Sequence, residues 1–184
     1  DSGDVALNFY LAPTLSTSIA NASIYEDAVY NYDASVNFSD ADTYEVLTYS
    51  ATLFDGSALP SWLSIDSTTG VLSGTPLNGN DGAMNITVTA TDTAGLSISD
   101  SYTLTINNTN DTPTLSAIAN TSTNEDAAFS LDVSGNYADV DAGDTVSYSI
   151  TGSSWASIDA NGVITGTPTN DDVGTESVSV SVSD

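Results

Sequence analysis

Along much of the chain, hydrophobic and polar residues alternate one by one. Val178, Val180 and Val182 are each separated by Ser. Ile86, Val88 and Ala90 are separated by Thr, and Tyr102, Leu104 and Ile106 follow the same rule. A period of two places one set of side chains on a buried face and the other in water, which predicts half-buried β-strands. Turn signals such as Asp55-Gly56, Thr69-Gly70 and Asn161-Gly162 separate these runs. No stretch carries a helical period with caps. Many short strands at this spacing predict an all-β fold, a Greek-key sandwich.

The pattern occurs twice. Ala12-Pro13-Thr14-Leu15-Ser16 returns as Thr112-Pro113-Thr114-Leu115-Ser116, and Tyr25-Glu26-Asp27-Ala28 as Asn124-Glu125-Asp126-Ala127. Phe38-Ser39-Asp40-Ala41-Asp42 returns as Tyr137-Ala138-Asp139-Val140-Asp141. Ser61-Trp62-Leu63-Ser64-Ile65-Asp66 aligns with Ser154-Trp155-Ala156-Ser157-Ile158-Asp159. Gly70-Val71-Leu72-Ser73-Gly74-Thr75-Pro76 aligns with Gly162-Val163-Ile164-Thr165-Gly166-Thr167-Pro168. Two tandem modules are expected, residues 12–110 and 111–184, preceded by an extension of residues 1–11. The matched positions of Trp62 and Trp155 suit packing, with sugar stacking as the alternative. The first module carries a final strand, Ser101 to Asn107, whose counterpart in the second would fall after Asp184. The second module is therefore expected to lack its last strand. Val5, Leu7, Phe9 and Leu11 alternate with Ala6, Asn8 and Tyr10 outside the repeat. Residues 4–11 are expected to donate a strand to the second module of the next subunit, building a head-to-tail filament. A longer parent protein, or a preceding domain that residues 1–11 end, is the plainer alternative.

Charge changes the picture most. Of 184 residues, 25 are carboxylates and none is Lys, Arg or His, so the formal charge is −25. No side chain can form a salt bridge, and folding brings like charges together. Relief must come from bound cations or from salt. Nucleic acid and anionic membranes are poor partners on this ground, and no apolar run is long enough to insert in a membrane. The hydrophobic share, 40%, is enough to build a core. All but Glu26, Glu45, Glu125 and Glu176 of the acids are Asp, the residue that caps turns and holds calcium in tight loops. A solubility surface adapted to high salt is the plain alternative. With no Cys, disulfides and thiolate metal sites are excluded. With no His or Lys either, no familiar nucleophilic triad can be assembled, and nothing singles out two carboxylates for glycoside hydrolysis. The chain is expected not to be an enzyme.

Leu59-Pro60-Ser61-Trp62-Leu63-Ser64-Ile65-Asp66, followed by Thr69 to Pro76, resembles the signature of dystroglycan-type cadherin-like domains. These overlap with immunoglobulin-like repeats of bacterial and archaeal surface proteins and adhesins. The resemblance spans about residues 12–184, and Gly-Thr-Pro is its most specific part. It implies seven-stranded sandwiches, tandem extracellular use, and calcium between modules. Carried over residue by residue, the cadherin calcium scheme implies Glu26 from the upper module and Asn108, Asn110 and Asp111 from the linker. From the lower module it implies Asp139, Asp141 and Asp184. The linker is one residue shorter than the cadherin type and has Asn for its first Asp. The acidic element of the upper module is reduced to Asn78-Gly79-Asn80 with Asp81 next, which leaves the number of ions open. A weaker second site would use Asp40, Asp42 and Asp92, with Asp1 and Asp4 as further donors.

The chemistry suits calcium, which takes six to eight oxygens in flexible geometry. Asp139 and Asp141 are two apart and converge on one ion if their segment is a loop; the null is that they cap turns. Two functions follow. The first is a non-enzymatic extracellular structural or adhesive module, stiffened by calcium at the joint and contacting neighbouring modules or identical subunits. The second is a calcium-dependent carbohydrate- or peptide-binding module whose surface is Tyr10, Tyr25, Tyr30, Tyr32 and Tyr44, with core packing as the alternative for Tyr30 and Tyr32, which share strand parity.

Overall fold

The computed structural model describes residues 10–42, 45–141 and 143–184. Of the expected strand-donating residues, Val5, Leu7 and Phe9 lie outside the described residues, while Leu11 is described and exposed. The chain divides into two compact units, Asp1–Thr109 and Asn110–Asp184.

The first unit contains β1 (Thr14–Leu15), β2 (Ala22–Tyr25), β3 (Tyr30–Asp33), β4 (Phe38–Ser39), β5 (Thr48–Leu53), β6 (Leu63–Ile65), β7 (Val71–Gly74), β8 (Gly82–Thr91) and β9 (Ser97–Asn107). One sheet has the order β2-β9-β8-β5 and the other β3-β7-β6, with β1-β4 as a separate pair. The alternation read from the sequence sets which residues face inward. Ile86, Val88, Ala90 and Leu104 are fully buried, and Tyr102 and Ile106 nearly so. They form one cluster with Tyr30, Leu63 and Leu72 of the opposite sheet. The long hairpin β8–β9 pairs over its whole length, from Gly82 opposite Ile106 to Thr91 opposite Ser97. At its edge β2 runs parallel to β9, which makes this sheet mixed.

The second unit repeats the plan with β10 (Thr114–Leu115), β11 (Phe129–Asp132), β12 (Tyr137–Ala138), β13 (Ser147–Thr151), β14 (Ala156–Ile158), β15 (Val163–Gly166) and β16 (Ser179–Ser183). The sheet β11-β15-β14 matches β3-β7-β6, and β10-β12 matches β1-β4. The remaining sheet has two strands, β13 and β16, matching β5 and β8. The all-β expectation holds in both units, and the helical segments among the described residues are single 3₁₀ turns.

The repeat extends to backbone detail. Asp27 and Asp126 both adopt a left-handed conformation with φ near 60°. Asp tolerates it because its short polar side chain bonds locally. Their N–H groups donate to Pro76 O and Pro168 O respectively, each at 2.8 Å. That contact links the Glu-Asp turn at one end of each unit to the Gly-Thr-Pro segment.

Candidate metal centre

In the second unit the acidic residues gather where the linker enters. Asp139 and Asp141 follow β12, and Asp184 follows β16. The Asp141 N–H donates to Asp139 Oδ1 at 3.0 Å, so the stretch is a turn. Asp141 is buried; its Oδ2 accepts from the Asp111 N–H, and its Oδ1 has no hydrogen-bond donor among the described residues. Asn110 Nδ2 donates to Asp184 Oδ2 at 3.1 Å, so both linker residues are tied to acids of their own unit.

The structure adds Asp144, which the sequence reading missed. Carboxylate oxygens of Asp139, Asp144 and Asp184 all lie within 4.8 Å of one another. Burial pushes the Asp144 carboxyl above its ordinary value, and Asp141, Asp139 and Asp184 add to the shift. Tyr137 donates to Asp139 Oδ2 at 3.1 Å. Its phenol is also raised, first by burial, then by that bond and the surrounding acids. A signal for Asp144 existed in the sequence. It stands three residues after Asp141, as Glu45 stands three after Asp42.

The first unit builds the same turn. Asp42 N–H donates to Asp40 Oδ1 at 2.8 Å, and Leu11 N–H donates to Asp42 Oδ2 at 2.8 Å, as Asp111 does to Asp141. Asp92 is buried; its Oδ1 accepts from Leu96 N–H at 2.8 Å. Asp40 Oδ2 and Asp92 Oδ2 are buried without a donor among the described residues. The acids are more dispersed here. No three carboxylates of this unit alone lie within 4.8 Å of each other among the described residues. Glu45 accepts from Thr93, side chain first and then backbone, which holds its carboxyl below the usual range.

At the other end of the first unit, Glu26 is buried. Its Oε1 accepts from Thr109 N–H at 2.8 Å, and Oε2 is buried without a donor among the described residues. Asn108 is exposed and makes no hydrogen bond with another described residue.

Of the tyrosines expected to form a ligand surface, Tyr10 and Tyr25 are exposed and Tyr44 lies outside the described residues. Tyr30 is instead a core residue whose hydroxyl meets Tyr102 Oη at 2.9 Å. Tyr32 is half-buried, packs on that core and donates to Asn37 Oδ1. Its parity with Tyr30 points both rings inward, so the two do not belong to a binding surface. Trp62 also packs against this core, and Trp155 stands edge-on to Phe129 with centroids 5.6 Å apart.

Residues 12–107 and 112–184 each match the family described as Putative Ig domain (He_PIG), and the chain belongs to it. The fold is also that of cadherin repeats. A fragment of mouse cadherin-23, EC22-24, superposes with a TM-score of 0.57 at 19% identity, over 91% of this chain and 58% of that one. The human desmocollin-1 ectodomain aligns with a TM-score of 0.46 at 18% identity, over 97% of this chain and 35% of the other. An endo-fucoidan hydrolase of glycoside hydrolase family 107 aligns with a TM-score of 0.44 at 26% identity, over 94% of this chain and 27% of the enzyme. The chain thus spans less than two thirds of each of these structures. No curated protein matches it. Among the described residues no helix is long and apolar enough to cross a membrane.

Proposed function

We propose that this chain is a non-enzymatic pair of extracellular structural or adhesive modules stiffened by calcium. One observation carries the reading. Among the described residues, buried carboxylate oxygens stand without donors at Asp141, Asp40, Asp92 and Glu26, in a chain that has no Lys, Arg or His. Burying a charge without a partner is costly. With no internal cation to offset the cost, the partner must come from solution. A hard cation that accepts many oxygens suits carboxylates and amide carbonyls held at turns.

The residues present fit that ion. In the second unit Asp139, Asp141, Asp144 and Asp184 would hold it, with Asn110 and Asp111 of the linker. Glu26 and Asn108 of the first module complete the set that the cadherin resemblance implies. In the first unit Asp40, Asp42 and Asp92 form the weaker set. When bound, the cation supplies the positive charge that the chain lacks. The chain's own residues orient it and tie the linker to the module. Neighbouring modules or further copies of the chain are the proposed partners.

The test is a calcium titration of the full chain, followed by melting temperature and small-angle scattering. Extracellular modules bind calcium at about 10⁻⁴–10⁻³ M. At one hundred times the dissociation constant, stabilisation should be about 2.7 kcal/mol. Asp139→Ala and Asp141→Ala should each weaken it. Identical melting and scattering in chelator and in 10 mM calcium (about the upper end needed for such sites) would sink the proposal.

A further inference from the structure

The four-stranded sheet of the first unit has a broad outward face free of carboxylates, as has its two-stranded counterpart β13-β16. Its outward residues are Thr48, Ser50 and Thr52 of β5, alternate residues from Ala83 to Thr91 of β8, alternate residues from Ser97 to Asn107 of β9, and Ser23 and Tyr25 of β2. None is a carboxylate, in a chain with 25 of them. The one acid within these strands, Asp100, has inward parity and accepts from Ile19 N–H at 2.7 Å. Hydroxyls pair across the strands, Thr87 with Ser101 at 2.9 Å and Thr89 with Ser99 at 2.8 Å.

One row across this face forms a recess of about 250 Å³ lined by Asn21, Phe54, Asn85, Ser101, Tyr102 and Thr103. Phe54 is 71% exposed, and its backbone N–H donates to Asn85 O, which sets the ring beside Asn85. Asn85 pairs with Thr103 in the β8–β9 register, and Thr103 N–H donates to Asn21 Oδ1 at 2.9 Å. Thr103 Oγ1 donates to Asn85 Oδ1 at 2.8 Å. Both amides therefore have their oxygens engaged and their orientation fixed. Both Nδ2 groups make no hydrogen bond with another described residue and remain available as donors.

We infer that this row is a binding site for a neutral polysaccharide. A sugar ring offers an apolar face for an exposed aromatic and hydroxyl oxygens for fixed amide donors. A strand spacing of about 4.8 Å separates neighbours in the row, so Phe54 and Asn21 bracket the length of a short oligosaccharide. Charge disfavours an anionic chain, which the surrounding carboxylates repel within a Debye length of about 8 Å, and the uncharged lining of the recess suits a neutral one. The pre-oriented amides lose little freedom on binding, which favours affinity. No carboxylate lines the recess, so binding here is independent of the calcium reading.

The experiment is affinity electrophoresis of the full chain in gels containing xyloglucan, mixed-linkage β-glucan, galactomannan or a sulfated fucan. Each gel is run with EGTA and again with millimolar calcium. We expect retardation in at least one neutral gel, equal with and without calcium, and none in the sulfated gel. Phe54→Ala should weaken the retardation about tenfold or more (about 1.4 kcal/mol per decade), and Asn85→Ala should weaken it as well. Both side chains are exposed, so unchanged melting of each variant will show that the fold is intact. No retardation in any neutral gel, retention in the sulfated gel alone, or retention unaltered by Phe54→Ala would each overturn the inference.

Discussion

The two modules carry the same acidic turn at equivalent positions, and they treat its charge differently. In the first, Glu45 is bonded by Thr93 and its carboxyl is held low. In the second, the equivalent Asp144 sits among Asp139, Asp141 and Asp184, and its carboxyl is pushed up by burial and by those neighbours. Hydrogen bonds from the chain stabilise one carboxylate, while the other faces only like charges. The cores differ in the same direction. Buried hydrophobic side chains in the first unit run from Ile19 to Ile106, whereas Val133 and Ile164 are the buried hydrophobics of the second among the described residues. Among the described residues, the second unit has the tighter cluster of acids, Asp139, Asp144 and Asp184. The second should therefore respond more to a cation.

The largest effect expected is in the cores. Each unit contains one Trp, Trp62 or Trp155, so fluorescence can report on each separately once the other is replaced by Phe. Leu104→Ala should destabilise the first unit by about 2–5 kcal/mol, because a fully buried side chain leaves a cavity. Ile164→Ala should likewise destabilise the second unit, because Ile164 is also buried. Equal costs in urea titrations would show that the cores are packed alike.

A smaller effect is expected where strands approach most closely. A Cβ on Gly74 would meet Trp62 O at 1.9 Å, and on Gly166 would meet Trp155 O at 2.4 Å. Both contacts are with backbone, which cannot rotate away. Gly74→Ala and Gly166→Ala should each destabilise their unit by about 1–3 kcal/mol, Gly74→Ala more. A reversed order would show that the second unit is the more rigid one.

The smallest effect is a pH dependence in chelator. Asp144 has a raised folded-state pKa, so the folded chain binds its proton more readily than the unfolded chain. Its contribution to stability therefore increases as pH falls toward the ordinary value of 3.8 and is lost as pH rises through the folded pKa. Asp159 of the same unit is held low, chiefly by the Val163 N–H. Its contribution has the opposite sign, present above 3.8 and lost as pH falls through the lower folded value. Melting of the second unit in EGTA should rise slightly from pH 7 toward the ordinary carboxylate range and fall below it. Asp144→Asn should flatten the rise. A rise that survives the substitution would assign it to general repulsion.

Much of the fold was legible because its signals are local. A period of two identifies Ile86, Val88 and Ala90 as inward-facing whatever they pack against, and the repeated Gly-Thr-Pro and Glu-Asp turns mark two modules. Parity alone left open whether the face of Tyr30 and Tyr32 is a surface or the core. Tyr30 and Tyr32 share a face, but only the opposing sheet makes that face the core. The acidic turns were legible as Asp-x-Asp, since spacing within a turn is set by the backbone. Which carboxylate oxygen is left without a donor was not. It depends on donors brought from far along the chain, such as the Asp111 N–H that engages Asp141 Oδ2 and leaves Oδ1 without one among the described residues. The row from Phe54 through Asn85 and Thr103 to Asn21 likewise exists only through the register of strands far apart in sequence. Periodicity dictates which way a side chain points, and tertiary pairing decides what it meets.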